Sequence, residues 1–270
     1  MGRAKDIIVK VIPAKIANEF IKKHHYSGKV VNNSALHFGA FLDGKLHGVM
    51  SYGSPLDKRK VLPLVQPSLW NEMLELNRMA FDEALPRNSE SRCIAISFKL
   101  IKKNAPHIKW ILSFSDGTQC GDGAIYRASG FFLTNIRPNT CIIQLSSGQI
   151  TASVALTKSK HILKQAGRAG KPIGSANLPG FQLRYIYLID KTCKITVPII
   201  PFSKIDELGA GMYKGEKVTL TERRKNAAVA HTGEQLTTSQ EGAFDSTSPL
   251  NLTAEKQRKN GKTDSRRKKV

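Results

Sequence analysis

Trp110-Ile111-Leu112-Ser113-Phe114-Ser115-Asp116-Gly117-Thr118-Gln119-Cys120-Gly121-Asp122-Gly123-Ala124-Ile125-Tyr126-Arg127-Ala128-Ser129-Gly130-Phe131 decides the fold class. An apolar run from Trp110 to Phe114 predicts a short buried strand. It empties into a glycine-rich polar loop, and Gly123 to Ser129 then predicts a helix that stops at Gly130, where glycine suits a left-handed C-cap. A strand followed by a polar loop and a helix is the unit of α/β folds, which place ligands at the carboxyl ends of their strands. Asp116 would stand at such an end, suited to a general base or a metal ligand, or to capping the next helix, for which Asp122 is better placed.

Working outward, the alternation continues. Ile7 to Ile12 predicts a strand, and Pro13 opens a helix through His24 with Ile16, Phe20 and Ile21 at helical spacing. Leu36 to Leu42 and Leu46 to Tyr52 flank Asp43-Gly44-Lys45 and predict a hairpin, because Asp-Gly supplies a positive-φ turn. Leu69 to Leu74 reads as helical and Leu74 to Met79 as a strand. Ser89 to Asn104 is an amphipathic helix with its cap among Pro86-Arg87-Asn88-Ser89-Glu90-Ser91. Phe131 to Ile136, Thr140 to Leu145, Phe181 to Leu188 and Ile195 to Ile200 predict further strands. Strands interleaved with helices give an α/β or α+β domain over residues 1–220 with a mixed sheet. Residues 221–270 lose periodicity, end in Arg266-Arg267-Lys268-Lys269, and read as a disordered basic tail.

The chain carries 42 Lys+Arg against 21 Asp+Glu in 270 residues, a formal net charge of +21. Self-repulsion of that size is relieved by a polyanion, so a polyanionic partner is expected. Lys102-Lys103, the segment from Lys158 to Lys171 and the tail are candidate contacts. No apolar run approaches the roughly 20 residues that span a bilayer, and the charged start is no signal peptide, so no membrane is expected. Cys93, Cys120, Cys141 and Cys193 form no C-x-x-C pair, which fits reduced thiols in a cytoplasm rather than a zinc ribbon or a disulfide framework.

Two other stretches carry chemistry. His24-His25-Tyr26-Ser27-Gly28 places imidazole and phenol in one loop, able to move protons, bind a metal or meet a base, though a histidine there also suits the negative end of a helix. Pro86 to Arg92 sets helix-start amides beside Arg87 and Arg92, an anion site or an ordinary capped helix start.

Glu75 to Phe81 (ELNRMAF), Leu85 to Arg92 (LPRNSESR), His24 to Gly28, Ser115 to Phe131 and Pro201 to Lys217 (PFSKIDELGAGMYKGEK) together resemble the Mom family of phage DNA-modification proteins. The resemblance runs from about Ile7 to Lys217 and implies a GNAT acyltransferase-like fold. It implies modification of adenine in duplex DNA to a carbamoylmethyl adduct on the exocyclic amine, shielding phage DNA from host restriction in the bacterial cytoplasm. It places essential residues on His25, Tyr26, Asp116 and Tyr126, which would also be an oxygen-and-nitrogen set for iron. It implies a donor loop at Arg87, Asn88, Ser89, Ser91 and Arg92. Glu90 and Arg92 stand where the acyltransferases have glycines, so a glycine-derived donor stands beside acyl-CoA. A homodimer is compatible with this reading. The alternatives are an acyl-CoA-dependent N-acetyltransferase acting on a protein or small amine, and a non-catalytic DNA-covering protein.

Overall fold

Asp43 and Gly44 both take positive φ, 51° and 75°. The two-residue turn they form matches the right-handed twist of the strands on either side. Those strands, β2 (Ser34–Leu42) and β3 (Lys45–Gly53), found the sheet of this computed structural model, which describes residues 3–86, 88–152, 175–213, 216–219 and 221–222. Ahead of them come β1 (Ile8–Val11) and helix α1 (Ala14–His24). After them come α2 (Lys58–Val61), β4 (Val65–Gln66), β5 (Met73–Phe81), α3 (Ser89–Asn104), β6 (Trp110–Asp116), α4 (Ala124–Ala128) and β7 (Phe132–Pro138). The later elements are β8 (Ile142–Gln144), β9 (Ile150–Ala152), β10 (Ala176–Asn177), β11 (Phe181–Leu188), β12 (Lys194–Ile195), α5 (Lys204–Glu207), β13 (Met212–Tyr213) and β14 (Glu216–Lys217).

Seven strands form one sheet in the order β1-β2-β3-β5-β6-β11-β7. Every neighbouring pair is antiparallel except β5 and β6, whose parallel pairing needs a crossover that α3 supplies. This is a mixed α+β sheet, as expected. On one face α3 and α4 cover Phe38, Met50, Tyr52 and Leu76. Tyr52 is wholly buried and pairs its hydroxyl with that of Ser97 on α3 at 2.6 Å. On the other face α1 sets Ala17 and Ile21 against Val49 and Ala80.

Three expectations are corrected. Leu69 to Leu74 is not helical: Leu69 and Trp70 are exposed in a turn, and the chain enters β5 at Met73. Of Ile195 to Ile200 only Ile195 lies in a strand, because its partner β4 is two residues long. Asp122 does not cap α4, whose N-cap is Gly123 at φ 84°. The Asp122 side chain is 0% exposed and pairs with Arg127 at 2.9 Å. Its other oxygen accepts the backbone N–H of Met212 at 3.1 Å. All four cysteines are free thiols. The tail beyond Glu222 and the basic segment from Lys158 to Lys171 lie outside the described residues.

A buried carboxylate stripped of its cation is costly. Arg127→Met should therefore lower stability by about 3–5 kcal/mol, read as the loss in urea unfolding free energy. A loss under about 1 kcal/mol would mean that Asp122 does not depend on this partner.

Candidate active site

The parallel ladder between β5 and β6 runs only from Met73–Trp110 to Leu76–Ser113. Beyond it the strands part, β5 continuing to Phe81 against β3 and β6 to Asp116 against β11. Their facing edges, residues 77–81 and 114–116, have no strand partner across the gap among the described residues. A cavity of about 520 Å³ opens there. The end of α1 brings His25 and Tyr26 to its wall, the end of β6 brings Asp116, and α4 brings Tyr126. Residues from three separate stretches of sequence thus meet at one cavity.

His25 is held by its own turn. Its Nδ1 accepts the backbone N–H of Ser27 at 3.1 Å and lies 2.8 Å from the Ser27 hydroxyl. A ring nitrogen that accepts is unprotonated, so the neutral ring carries its proton on Nε2. Burial, helped by the positive charge of Arg78, lowers the His25 pKa to about 4. The ring packs on Tyr26 with centroids 4.2 Å apart. Tyr26 is 48% exposed, yet its phenol oxygen is within electrostatic reach of Asp116 and Cys120, and desolvation together with those groups raises its pKa.

Tyr126 is enclosed. Its ring packs at 5.3 Å from both Phe131 and Tyr185, and its hydroxyl pairs with that of Ser113. Burial pushes this phenol up to about 12, so it remains a proton carrier at neutral pH. Asp116 organises the loop that follows it: Oδ1 accepts Thr118 N–H at 3.0 Å and the Asn139 amide at 3.1 Å, and Oδ2 accepts the Gln119 amide at 3.2 Å.

Two residues that sequence reasoning did not place at the site belong beside these four. In a regular strand Leu76 and Arg78 would share a face. Here Leu76 pairs with Tyr52 and Arg78 with Ser51, so Asn77 is the extra residue of a bulge and Arg78 turns to the opposite face. Arg78 lines the cavity and donates from Nε to the Lys29 carbonyl at 2.9 Å, fastening the chain just after the histidine loop. Glu75, in electrostatic reach of Arg78 and Tyr126, is pushed up to about 7 by burial, against the pull of Arg78. No sequence signal announces a bulge at an asparagine, so the convergence was hidden.

The proposed donor loop is arranged differently from a set of outward-facing hydroxyls. Arg87 lies outside the described residues. Asn88 takes the N-cap position of α3 at φ 65° without a side-chain cap. Ser89 turns its hydroxyl to the Pro86 carbonyl, and Ser91 donates to the Asn88 carbonyl at 3.2 Å. Arg92 reaches the Lys5 carbonyl at 3.3 Å, and Glu90 lines the cavity.

The donor set does not fit iron. Among the described residues no group of three or more His, Cys, Asp or Glu converges. The Asp116 oxygens already take three donors, from Thr118, Gln119 and Asn139.

The sequence matches that of a curated relative, methylcarbamoylase mom of Escherichia phage Mu, with 38% identity over 129 residues. That stretch is 47% of this chain and 53% of the relative, so the match spans about half the length of the phage Mu protein. Solved structures with similar folds include a GNAT family acetyltransferase from Elizabethkingia anophelis with acetyl-CoA bound, at 13% identity and a TM-score of 0.40 over 68% of this chain and 98% of that one. The ribosomal-protein-S18-alanine N-acetyltransferase of Escherichia coli aligns at 11% identity and a TM-score of 0.39, over 68% of this chain and 94% of that one. The sequence model of the Mom protein family matches residues 6–204, a span that takes in the whole seven-stranded sheet and all four of His25, Tyr26, Asp116 and Tyr126, and the chain belongs to that family.

Proposed function

We propose that this protein is a transferase that converts adenine in duplex DNA to a carbamoylmethyl adduct on the exocyclic amine, protecting phage DNA from restriction inside the bacterial host. The observation that carries the reading is the meeting of His25, Tyr26, Asp116 and Tyr126 at one cavity in a chain of the Mom family. The name of the phage Mu relative and the net charge of +21 support it.

Adenine's exocyclic amine is a weak nucleophile because its lone pair is delocalised into the ring. In the duplex it is also paired and stacked, so the base must be extruded at a cost of a few kcal/mol. The amine nitrogen gains a bond to a methylene carbon and loses a proton, while that carbon's bond to a leaving group on the donor breaks and the leaving group departs with the electron pair. Simple acyl transfer would leave an amide instead. An acyl-CoA or glycine-derived donor would supply the two-carbon unit, and the open backbone edges at 77–81 and 114–116 suit an extended, amide-bearing molecule.

The chain's own residues divide the remaining work. His25 presents Nε2–H as a donor that orients an acceptor on the base or the donor. Asp116 is a carboxyl group of the cavity wall able to receive the amine proton, and Glu75, pushed up to about 7 in electrostatic reach of Tyr126 and Arg78, lies outside the lining. Tyr126, its hydroxyl engaged with Ser113, presents its ring to the cavity lining.

Mass spectrometry of nucleosides from DNA of cells expressing the protein should show a deoxyadenosine species heavier by a carbamoylmethyl group. Unmodified adenine with soluble protein present would transfer the lead to an N-acetyltransferase of proteins or small amines.

Asp116→Ala should abolish the adduct while duplex affinity and its steep salt dependence persist, measured by titration at several salt concentrations. If binding were lost together with chemistry in a folded variant, Asp116 would be a DNA-contacting residue instead.

The two shifted groups also oppose each other in stability. Folded His25 gives up its proton at about 4 and unfolded histidine near 6.5, so between them the unfolded chain binds more protons and stability is lost as pH falls. Folded Glu75 keeps its proton to about 7 and unfolded glutamate to about 4.5, so its contribution is lost as pH rises. Each amounts to at most on the order of 3 kcal/mol. Relative to wild type, His25→Asn should gain stability as pH falls from 7 to about 4.5, and Glu75→Gln should lose it, in urea unfolding across that range. Identical pH profiles in all three proteins would refute the assignment.

A further inference from the structure

Tyr126 cannot sandwich a base, since it is 9% exposed and packs against Phe131 and Tyr185. Among the described residues, the cavity has two tyrosines in its lining that are about half exposed: Tyr26 at 48% and Tyr213 at 52%. Tyr213 lies beyond residues 6–204, the span of the family match.

Its position is built rather than incidental. Tyr213 forms a β-bridge with Gly121 in the loop after β6. One residue before it, Met212 donates its N–H to the buried Asp122 carboxylate at 3.1 Å and accepts the Asp122 N–H at 3.1 Å. The glycines of that loop make the approach feasible. A Cβ on Gly117 would stand 3.1 Å from the Met212 side chain and 2.8 Å from the Phe181 carbonyl, and one on Gly121 would stand 3.2 Å from the Met212 carbonyl. A glycine-rich loop at a strand end here serves to seat β13, and β13 carries Tyr213 to the cavity. Tyr26 comes to the same place from α1, its phenol within reach of Cys120, the residue next to Gly121. Two half-exposed aromatic rings therefore line the same cavity as the Cys120–Gly121 segment.

We infer that Tyr213 is the second aromatic surface that, with Tyr26, stacks an extruded nucleobase at the cavity mouth. The inference rests on the DNA-modifying reading and names how that site holds its substrate. A π-face accepts any base, so this contact contributes capture and not sequence choice. Tyr213 is a positioning residue, and the reacting groups lie deeper.

The test uses the full chain with Tyr213→Phe, Tyr213→Trp and Tyr213→Leu, and a duplex oligonucleotide carrying a mispaired 2-aminopurine, whose extrusion costs least. Fluorescence titration should show Leu weakening affinity for this probe at least about fivefold, the lower bound of one stacked base. Phe and Trp should stay at wild-type affinity, as should all variants on a fully paired duplex. Adduct yield in cells should follow the same order. Leu matching wild type on the probe would overturn the inference, and so would Phe and Trp failing with Leu. If Leu does not fold, the Phe and Trp results decide on their own: both retaining wild-type affinity for the probe supports stacking, and loss in either overturns it. If the probe depends on the ring at position 213 but no adduct forms, stacking stands and the proposed reaction falls. Adduct at equal yield in all variants would leave the reaction standing and the stacking refuted.

Discussion

Asp122 carries a carboxylate with no access to water, and much of the site is arranged to satisfy it. Arg127 reaches back from α4 to its Oδ1, Met212 brings β13 to its Oδ2, and Tyr185 of β11 donates to its carbonyl. A buried charge with several fixed donors can hold one geometry where an apolar contact would permit many. Here the geometry sets the start of α4, and with it Tyr126 one turn later. It also sets where β13 crosses the loop. Gly123, at φ 84° and with Tyr185 2.5 Å from where a Cβ would stand, completes the constraint.

The parting of β5 and β6 turns that rigid frame into a site. Strands that diverge leave backbone donors and acceptors without partners, a cost that most sheets avoid by pairing or covering their edges. His25 is neutral, both phenols keep their protons, and Glu75 is half-titrated near neutrality. Arg78 and Asp116 bring one charged group from each diverging strand, and Glu90 and the Arg127-paired Asp122 also line the cavity. The carboxylates of Asp116 and Glu90 in the lining are unfavourable neighbours for a phosphate.

Much of the fold was legible in the sequence, because the hairpin, α1, α3, β6 and β11 each advertise themselves through periodicity or turn chemistry. Asp43-Gly44 is the clearest case, with both residues at the positive φ that the dipeptide favours. What failed was governed by tertiary partners. Leu69 and Trp70 have helical spacing but are drawn into a turn by the start of β5, and Ile195 to Ile200 cannot continue as a strand beside a two-residue partner. At the site, the four residues that the family resemblance implied, His25, Tyr26, Asp116 and Tyr126, line one cavity. Arg78 was hidden by a bulge, Asp122 looked like a cap, and Tyr213 sat in a segment without periodicity. The glycine-rich loop was read as a ligand loop, while three of its glycines accommodate β11 and β13.

On the proposed function, affinity for the duplex and selectivity for the base would be supplied by different parts of the molecule. Phosphate neutralisation by lysine and arginine releases counterions and is blind to sequence, so it brings any duplex to the surface without removing a base from the stack. Extrusion costs a few kcal/mol, and one aromatic face returns about 1–3 kcal/mol. A single ring would therefore leave the extruded state close to balance, with the second face of the base still in water. Two rings offset the loss of both stacking neighbours and exclude water from both faces. The amine then meets the carboxyl groups in the low-dielectric setting where proton transfer is sensitive to their placement. On the proposed function Tyr26 and Tyr213 would act upstream of chemistry, setting how often the base is presented, while Asp116 and Tyr126 would act only on a base already held.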